Sequence, residues 1–552
     1  MPKRVAADLW PVHDVITALH QGDAQRDEAQ PGSLAIFCSD TSIRELSEYE
    51  AAVRQQIRWG WQYGEPSSAG VAQRRELQRA ITLLDRLPAN AWMTALASFH
   101  GSGFVREAAV KQLQQCKDGS EIPFLILRCN DWVKPIAERA QQALRERRSA
   151  QYAPWLLRSQ FLLAQLARAR RNDLSMLFQE VSALLQSADC ADAVQHACSD
   201  QDRDVRRGAF QIAADACMQQ EDAERTDRLR TLLLRALSGR DLWLRIWAAR
   251  LARRRLYGHA LGSVLDAAQR DRSVPVRREA LLALINDHPE LEKSLLDPCA
   301  SLRAMVRFYL RKKATLHFAA FYRQTLADAL VADRCGATPE TLRRICIAAD
   351  GLGETAASEH ASTHTSGRDD STARDTDVYA PLASLIYDSR PRVRSSALRA
   401  LVRLDTSADK QPSRDLLEAA LRDPSARVLR TALALLTCEG DGSALFRIGP
   451  DLLWQSFEQR VETGTRRGLL RAMELFSRWT RLGFLLQACS SLEDRIAEEA
   501  HAACTRALQG QIYTGPSASE RTRIEHALSL LPDTSALRPL RNNVQGALLA
   551  WA

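Results

Sequence analysis

Residues 271–284 read DRSVPVRREALLAL. The apolar side chains of this stretch are spaced i, i+4, i+7 and i+8, at Val276, Ala280, Ala283 and Leu284. Side chains with that spacing lie on one face of an α-helix. Asp271 precedes the first of them by five residues, where a carboxylate can accept hydrogen bonds from the free N–H groups of a turn. The stretch therefore predicts a tight turn followed by an amphipathic helix.

The same pattern recurs along the chain, in nine copies altogether. Two other clear copies are residues 388–401, DSRPRVRSSALRAL, and residues 423–436, DPSARVLRTALALL. The first apolar residues of the remaining copies are Val105, Ile136, Val205, Leu244, Leu302 and Ile496. Four pairs of successive copies are 31 to 39 residues apart, which leaves room for a helix, a turn, a second helix and a loop. The periodicity predicts a repeat array.

Two polar positions accompany the apolar pattern. An Asp lies five residues before the first apolar position in six copies, at Asp131, Asp200, Asp271, Asp297, Asp388 and Asp423. An Arg directly follows that apolar position in six copies, at Arg106, Arg206, Arg245, Arg277, Arg303 and Arg394. The Asp can accept backbone N–H bonds in the turn, and the Arg can reach the Asp of its own or the neighbouring repeat. We predict a structural ladder of Asp–Arg contacts along the stack.

The combined motif is Asp, four residues, Val-Arg, two residues, Ala, three residues, Leu. It is complete at residues 271–284 and 388–401 and nearly complete at 200–213. The motif resembles the HEAT repeat family, in particular the short HEAT-like repeats common in bacterial proteins, over roughly residues 75–510. The resemblance implies an all-α fold, an α-solenoid of HEAT-like antiparallel helix pairs (an α-α superhelix), with roughly ten to fifteen repeats.

Composition divides the chain into four predicted segments, which are residues 1–65, 66–353, 354–378 and 379–552. Residues 354–378 are rich in Ser, Thr, Asp and Ala, which predicts a flexible linker between two repeat arrays or an insertion within one repeat. The preceding residues Gly351-Leu352-Gly353 are predicted to end a helix. Residues 1–65 lack the repeat and predict an irregular helical cap, with helices around 12–19 and 43–61.

The sequence contains few of the patterns that carry chemistry. It has neither an HExxH nor a Walker-type phosphate loop, and its 12 cysteines form no CxxC pair. We therefore predict no catalytic residue, no metal site and no cofactor. The chain also lacks an apolar run of about 18 residues and an apolar signal core near Met1. These features predict a cytoplasmic protein without membrane insertion.

The chain is mildly basic, with 75 Lys+Arg, 67 Asp+Glu and a net charge of +8. Most basic clusters fall near predicted helix C-termini, where they complement the helix dipole. The alternative is a basic stripe that follows a phosphate backbone. Trp243 and Trp247 are four residues apart and could stack on bases, although aromatic residues at that spacing more often belong to a core.

The predicted function is a non-catalytic protein–protein interaction scaffold, because a solenoid offers a long surface to a protein partner. Arginines that lie off the apolar stripes form the candidate partner surface and are Arg207, Arg250, Arg253, Arg254, Arg278 and Arg399. The HEAT-like resemblance implies two alternatives. One is a nucleic-acid-binding protein, including a DNA-repair glycosylase-like enzyme, and the other is a bilin lyase-like or chaperone-like protein.

Overall fold

The computed structural model describes residues 43–61, 69–88, 90–168, 173–219, 224–311, 316–363, 376–405, 411–438, 448–491, 493–510 and 514–551. All regular secondary structure in these ranges is helical. The predicted helix around residues 12–19 lies outside them. None of the described helices is long and apolar enough to cross a bilayer.

Two compact units make up the chain, Met1–Ala283 and Leu284–Ala552. The α-helices of the first unit are α1 Leu46–Trp61, α2 Ala69–Arg86, α3 Trp92–Ala97, α4 Gly103–Gln115, α5 Ile122–Arg128, α6 Lys134–Glu146, α7 Ala153–Arg158, α8 Gln160–Leu166, α9 Ser175–Gln186, α10 Ala191–Ala197, α11 Arg203–Gln219, α12 Arg225–Ser238, α13 Leu242–Arg255, α14 Gly258–Gln269 and α15 Val274–Ala283. Its 3₁₀ turns are Ile43–Glu45, Ala150–Tyr152 and Ala188–Cys190.

The second unit is built in the same way. Its α-helices are α16 His288–Lys293, α17 Ala300–Arg311, α18 Phe318–Cys335, α19 Pro339–Thr363, α20 Thr376–Leu385, α21 Pro391–Leu404, α22 Gln411–Leu421, α23 Ala426–Cys438, α24 Pro450–Glu458, α25 Thr463–Met473, α26 Arg478–Ala488, α27 Asp494–Leu508, α28 Ala518–Leu530 and α29 Arg538–Leu549. A 3₁₀ turn spans Ser294–Leu296.

The helices of each unit pack in two layers. In the first unit α12 packs on α13 and α14 packs on α15, while α12 also contacts α14 and α13 contacts α15. In the second unit α19, α21, α23, α25, α27 and α29 contact one another in succession. Helices that carry successive copies of the repeat motif, such as α13 and α15 or α21 and α23, therefore stack on one another. The predicted α-solenoid is confirmed.

The repeat pattern forms the core because the apolar face of each motif helix packs against the neighbouring layer of helices. Val276 and Ala280 of α15 are fully buried, and so are Ala397 and Ala400 of α21. Small Ala side chains at these positions let neighbouring helices approach closely, and burying their apolar surface is the dominant favourable contribution to folding.

The division between the two units does not coincide with the predicted linker. It falls between Ala283 and Leu284, where the short helix α16 replaces a full first helix. The repeats that start at Val276 and Leu302 are only 26 residues apart, which is less than the 31 to 39 residues seen elsewhere. A repeat array has no sharp internal boundary except where such a repeat is shortened, because each repeat contacts only its neighbours.

Helix α19 extends into the segment that is predicted to be a linker or an insertion. Helix α19 continues through Gly351-Leu352-Gly353 to Thr363, so these glycines do not end a helix. A Cβ at Gly351 would lie 2.5 Å from the ring of Tyr322, and one at Gly353 would lie 2.7 Å from the Cα of Ala400. The two glycines are therefore needed for close packing of α19 on α18 and α21. Residues 364–375 lie outside the described part of the chain.

Candidate functional site

The turns of neighbouring repeats are joined through buried ion pairs. At the most buried of them, Arg106 donates from Nε and Nη2 to the two carboxylate oxygens of Asp131, each at 2.9 Å. Both side chains are fully buried. Arg106 also donates from Nη1 to the carbonyl oxygens of His100 and Gly101, at 3.0 and 2.9 Å. Asp131 in turn accepts from the backbone N–H of Val133 at 3.0 Å. One arginine thus connects its own turn to the next.

The same geometry occurs in the second unit. Arg394 donates from Nε and Nη2 to Asp423 at 2.8 and 2.9 Å, and from Nη1 to the carbonyl of Asp388 at 2.8 Å. Asp423 also accepts from the backbone N–H of Ser425 at 2.8 Å. Burial alone would raise the pKa of Asp423, but the hydrogen bonds from Arg394 and Ser425 and the charges of Arg394 and Arg460 together outweigh it and hold that pKa below its ordinary value.

The other predicted ladder residues lie in equivalent turns. The Nη1 atoms of Arg206, Arg277 and Arg303 donate to the carbonyl oxygens of Asp200, Asp271 and Asp297, at 2.6, 2.9 and 2.7 Å. The carboxylates of these three aspartates each accept the backbone N–H of the residue two positions later, at 2.7 Å. Arg245 lies 3.5 Å from the carboxylate of Asp271.

Two carboxylates of the ladder were absent from the predicted set. Asp241 lies 3.6 Å from Arg206 and accepts from both Nε and Nη2 of Arg207, although it stands three residues before Leu244 instead of five. Glu354 is the carboxylate partner of Arg303 and is 51 residues away in sequence. The irregular position of Asp241 and the distance to Glu354 are why the spacing rule missed them.

Replacing Asp271 by Ala should lower the melting temperature without changing the helical content of the folded protein. The variant loses the acceptor for a turn N–H and the carboxylate near Arg245, which costs about 1–2 kcal/mol of unfolding free energy. Arg277→Ala should act in the same direction, because it removes the donor to the Asp271 carbonyl. Thermal unfolding followed by far-UV circular dichroism measures both. Asp266→Ala, at an exposed position of α14, is the control, and a melting temperature unaltered in both test variants would contradict the ladder.

Five of the six arginines of the candidate partner surface lie in the first unit, on α11, α13 and α15. The sixth, Arg399, lies on α21 in the second unit and donates to both carboxylate oxygens of Asp350, each at 3.0 Å. Arg399 is therefore engaged within its own unit, and the other five arginines belong to the surface of the first unit.

Two tryptophans stand at the centre of this surface. The side chain of Asp241 caps the first turn of α13 by accepting the backbone N–H of Trp243 at 2.9 Å, which fixes where the helix begins. Trp247 follows one turn later and stacks on Trp243, with ring centroids 6.4 Å apart and planes 7° apart. The guanidinium carbon of Arg207 lies 5.1 Å from the centroid of Trp243, and Phe210 meets Trp247 edge-on at 6.5 Å.

The arginines around the tryptophans differ in their pairing. Arg207 is bound to Asp241 at 2.8 and 2.9 Å. Arg250 lies 2.6 Å and Arg253 lies 3.5 Å from the carboxylate of Glu279 on α15. Arg254 and Arg278 are exposed and have no ion pair among the described residues.

We call Arg207, Trp243, Trp247, Arg254 and Arg278 the tryptophan face. Trp243 is 40% exposed, and Arg254 lies on the same side of α13 because it follows Trp247 by seven residues. Arg278 is exposed on α15, the helix that the ion pair between Arg250 and Glu279 joins to α13. The sequence indicated both tryptophans by their spacing, whereas the carboxylates that pair with the arginines depend on how the repeats stack.

One group of potential metal ligands occurs among the described residues, Cys116, Asp118 and Glu121, with ligand atoms within 4.8 Å of one another. Burial raises the pKa of the Cys116 thiol to about 12, so sulfur is protonated at neutral pH. Glu121 forms an ion pair with Arg147, and Asp118 accepts from the backbone N–H of Ser120 at 2.8 Å. These contacts engage one carboxylate oxygen of Glu121 and one of Asp118 within the protein, and we assign the group no metal.

No protein-family model matches this sequence, and no curated protein matches it significantly. Solved structures with a similar fold include Kap121p, at 14% identity over 91% of this chain with a TM-score of 0.32. They also include importin beta, at 12% identity over 97% of this chain and 82% of that chain with a TM-score of 0.33. Yeast importin-beta (Kap95p) matches at 13% identity over 99% of this chain and 77% of that chain, with a TM-score of 0.31.

These neighbours are helical solenoids. The chain spans 58% of the length of Kap121p, so the likeness concerns only part of that protein. At identities of 12–14% it assigns neither a partner nor an activity to this chain.

Proposed function

We propose that this protein is a non-catalytic protein–protein interaction scaffold and that the tryptophan face is a place where it binds a protein partner. The observation that carries the proposal is how the exposed arginines and tryptophans contact and pair with neighbouring side chains. Arg207 is paired with Asp241 and lies against Trp243, Trp243 also contacts Trp247, and Arg254 and Arg278 are exposed. Such a surface suits a protein partner better than a nucleic acid.

The charge on the face argues against a phosphate backbone as its ligand. Binding of nucleic acid depends on many cations that are free to neutralise phosphates. Arg207 shares its charge with Asp241, and Arg250 shares its charge with Glu279. Arg254 and Arg278 are then the arginines of the face without an ion pair among the described residues, and two such cations are few for a phosphate backbone.

The arrangement of the rings also argues against stacking on bases. Single-stranded nucleic acids bind proteins by laying bases on free aromatic faces. The indole of Trp243 is contacted both by the ring of Trp247 and by the guanidinium of Arg207. Exposed Trp and Arg side chains held rigidly by their neighbours are the residues that dominate binding energy in protein interfaces. They lose little conformational freedom when a partner binds.

Capture of partners from the native lysate tests this function. The tagged full chain should retain a stoichiometric protein after nuclease treatment. Trp243→Ala should reduce the amount of that protein about fivefold or more, because loss of a central Trp costs more than 1 kcal/mol of binding energy. Tyr387→Ala is the matched control, since Tyr387 is an aromatic residue that is 89% exposed in the second unit.

Two results of the capture experiment would contradict the proposal. If the retained material is nucleic acid and all proteins are lost on nuclease treatment, the scaffold function is wrong and nucleic-acid binding takes its place. If a protein is retained equally by the wild type and by Trp243→Ala, the scaffold function stands but the tryptophan face is not the surface that binds.

A further inference from the structure

We infer that the tryptophan face recognises an acidic segment of its protein partner, in which carboxylates flank an apolar or aromatic residue. The inference rests on the proposed function, because it names the chemistry of the partner that the scaffold would bind. It is carried by an excess of positive charge around the two tryptophans, by the exposed part of their rings and by the length of α13.

The ion pairs on the face leave positive charge uncompensated. Arg206 and Arg207 share the single carboxylate of Asp241, at 3.6 and 2.8 Å. Each such group of two arginines and one carboxylate keeps one positive charge. The same holds for the pair of arginines around Glu279, at 2.6 and 3.5 Å. Arg254 and Arg278 add two further charges, because neither has an ion pair among the described residues.

Nearby carboxylates do not cancel this excess. Of the two remaining acidic side chains of α11, Asp204 interacts with Arg207 of the face as well as with Arg203, and Asp215 interacts with an arginine outside the face. Asp204 lies 3.8 Å from Arg203, and Asp215 interacts electrostatically with Arg255. An incoming carboxylate would therefore find guanidinium groups that can bind it through two parallel hydrogen bonds.

The exposed parts of the rings favour the same kind of ligand. Trp243 is 40% exposed, and the neighbouring Leu242 is 43% exposed, so an apolar side chain of the partner has surface to cover. Arg207 and Trp247 both contact Trp243, and the exposed part of its ring is open to a partner. Aromatic edges carry partial positive charge and attract carboxylate and carbonyl oxygens.

The size of the face suits a short extended segment. Trp243 and Arg254 are eleven residues apart on α13, which corresponds to about 16 Å along a helix. An extended chain covers that distance with about five residues. A segment with one apolar residue over Trp243 and acidic residues on either side can therefore reach both Arg207 and Arg254.

Fluorescence anisotropy with the full chain tests the inference. The probe is a fluorescein-labelled 12-residue peptide of Glu and Asp with one central Phe, and the comparison ligands are the corresponding Lys peptide and a 12-nucleotide single-stranded DNA. We expect the acidic peptide to bind and the Lys peptide not to bind. The double variant Arg254→Glu/Arg278→Glu should weaken binding about tenfold or more at low salt. Trp243→Ala should weaken it about fivefold.

The matched control is Arg86→Glu/Arg145→Glu, which changes the net charge by the same amount at exposed positions of α2 and α6. It should bind the acidic peptide as the wild type does. Equal weakening in both double variants would show that only net charge matters and would overturn the inference. Tighter binding of the DNA, lost in the same face variants, would overturn both the inference and the proposed function.

A third outcome distinguishes failure of the acidic-segment inference from failure of the proposed scaffold function. If the acidic peptide fails to bind while the captured protein partner still depends on Trp243, the acidic chemistry is wrong and the scaffold function survives. Far-UV circular dichroism of each variant confirms that it is folded, so that lost binding reflects the altered surface.

Discussion

Asp131→Ala should lower the free energy of unfolding by about 3–5 kcal/mol, because it leaves a buried charge without its partner. We expect this to be the largest effect of removing any single Asp–Arg contact of the ladder in the first unit. Arg106 would lose its carboxylate entirely while its side chain stays fully buried. Arg128, which lies 3.0 Å from Asp131, would keep only its contact with Glu50. The midpoint of urea unfolding measures the loss.

The same rung predicts how stability depends on pH. Burial alone would raise the pKa of Asp131, but the hydrogen bonds from Arg106 and Val133 and the charges of Arg128 and Arg106 together outweigh it, and the pKa lies below the ordinary value. A carboxyl group whose pKa is lowered by folding stabilises the protein above its unfolded pKa of about 3.9 and loses this contribution as the pH falls through its folded pKa. The difference in unfolding free energy between the wild type and Asp131→Asn should therefore shrink as the pH is lowered below about 4.

Asp173→Ala provides the control for this rung. Asp173 accepts from the backbone N–H of Ser175 at 3.1 Å, so it makes the same kind of turn contact, but it is exposed. Its removal should barely move the urea midpoint. If Asp131→Ala and Asp173→Ala had equal midpoints, the buried pair with Arg106 would contribute nothing beyond the turn hydrogen bond.

The helices that carry the motif could be predicted because local periodicity alone determines them. Val276, Val393 and Val428 start apolar stripes whose spacing matches one face of a helix, and all three are buried in the structure. The turn aspartates were visible for the same reason, since each caps backbone N–H groups within two residues of itself. Interactions of this range need no knowledge of how the repeats stack.

Contacts between repeats could not be predicted, because they depend on the stacking register. Asp241 and Glu279 pair with Arg207 and Arg250, yet nothing in the local sequence distinguishes these carboxylates from exposed ones. The candidate surface was therefore seen as a set of free arginines, whereas three of those in the first unit are paired. That difference is what shifts the interpretation from a phosphate-binding stripe toward a protein interface.

Composition also failed to predict the buried residues at the end of α19, for a related reason. Residues 354–378 are mostly polar, and Val378 is their one large apolar residue, which is typical of a linker. Composition cannot show that the first residue of this segment serves as the carboxylate of a buried cluster. The side chain of Glu354 is only 9% exposed, and Thr355 is buried.

Glu354→Ala should therefore destabilise the second unit by about 3–5 kcal/mol, as expected when one partner of a buried ion pair is removed. Glu354 accepts from Arg303 through both carboxylate oxygens and from Nη1 of Arg307 at 2.9 Å. The side chains of these arginines are 2% and 7% exposed. Both would remain in the core of the unit without their ion-pair partner, so a large part of the cost is the burial of unpaired charge.

Two variants make this test specific. Glu354→Gln keeps a hydrogen-bond acceptor but removes the charge, and it should fall between the wild type and Glu354→Ala. Glu340→Ala alters an exposed residue in the first turn of the same helix and should leave the urea midpoint unchanged. If Glu354→Ala proved as stable as Glu340→Ala, residue 354 would behave as part of the mobile segment that its composition predicts. A loss of several kcal/mol would instead show that the ladder continues through Glu354, because a flexible linker has no buried charge to leave unpaired.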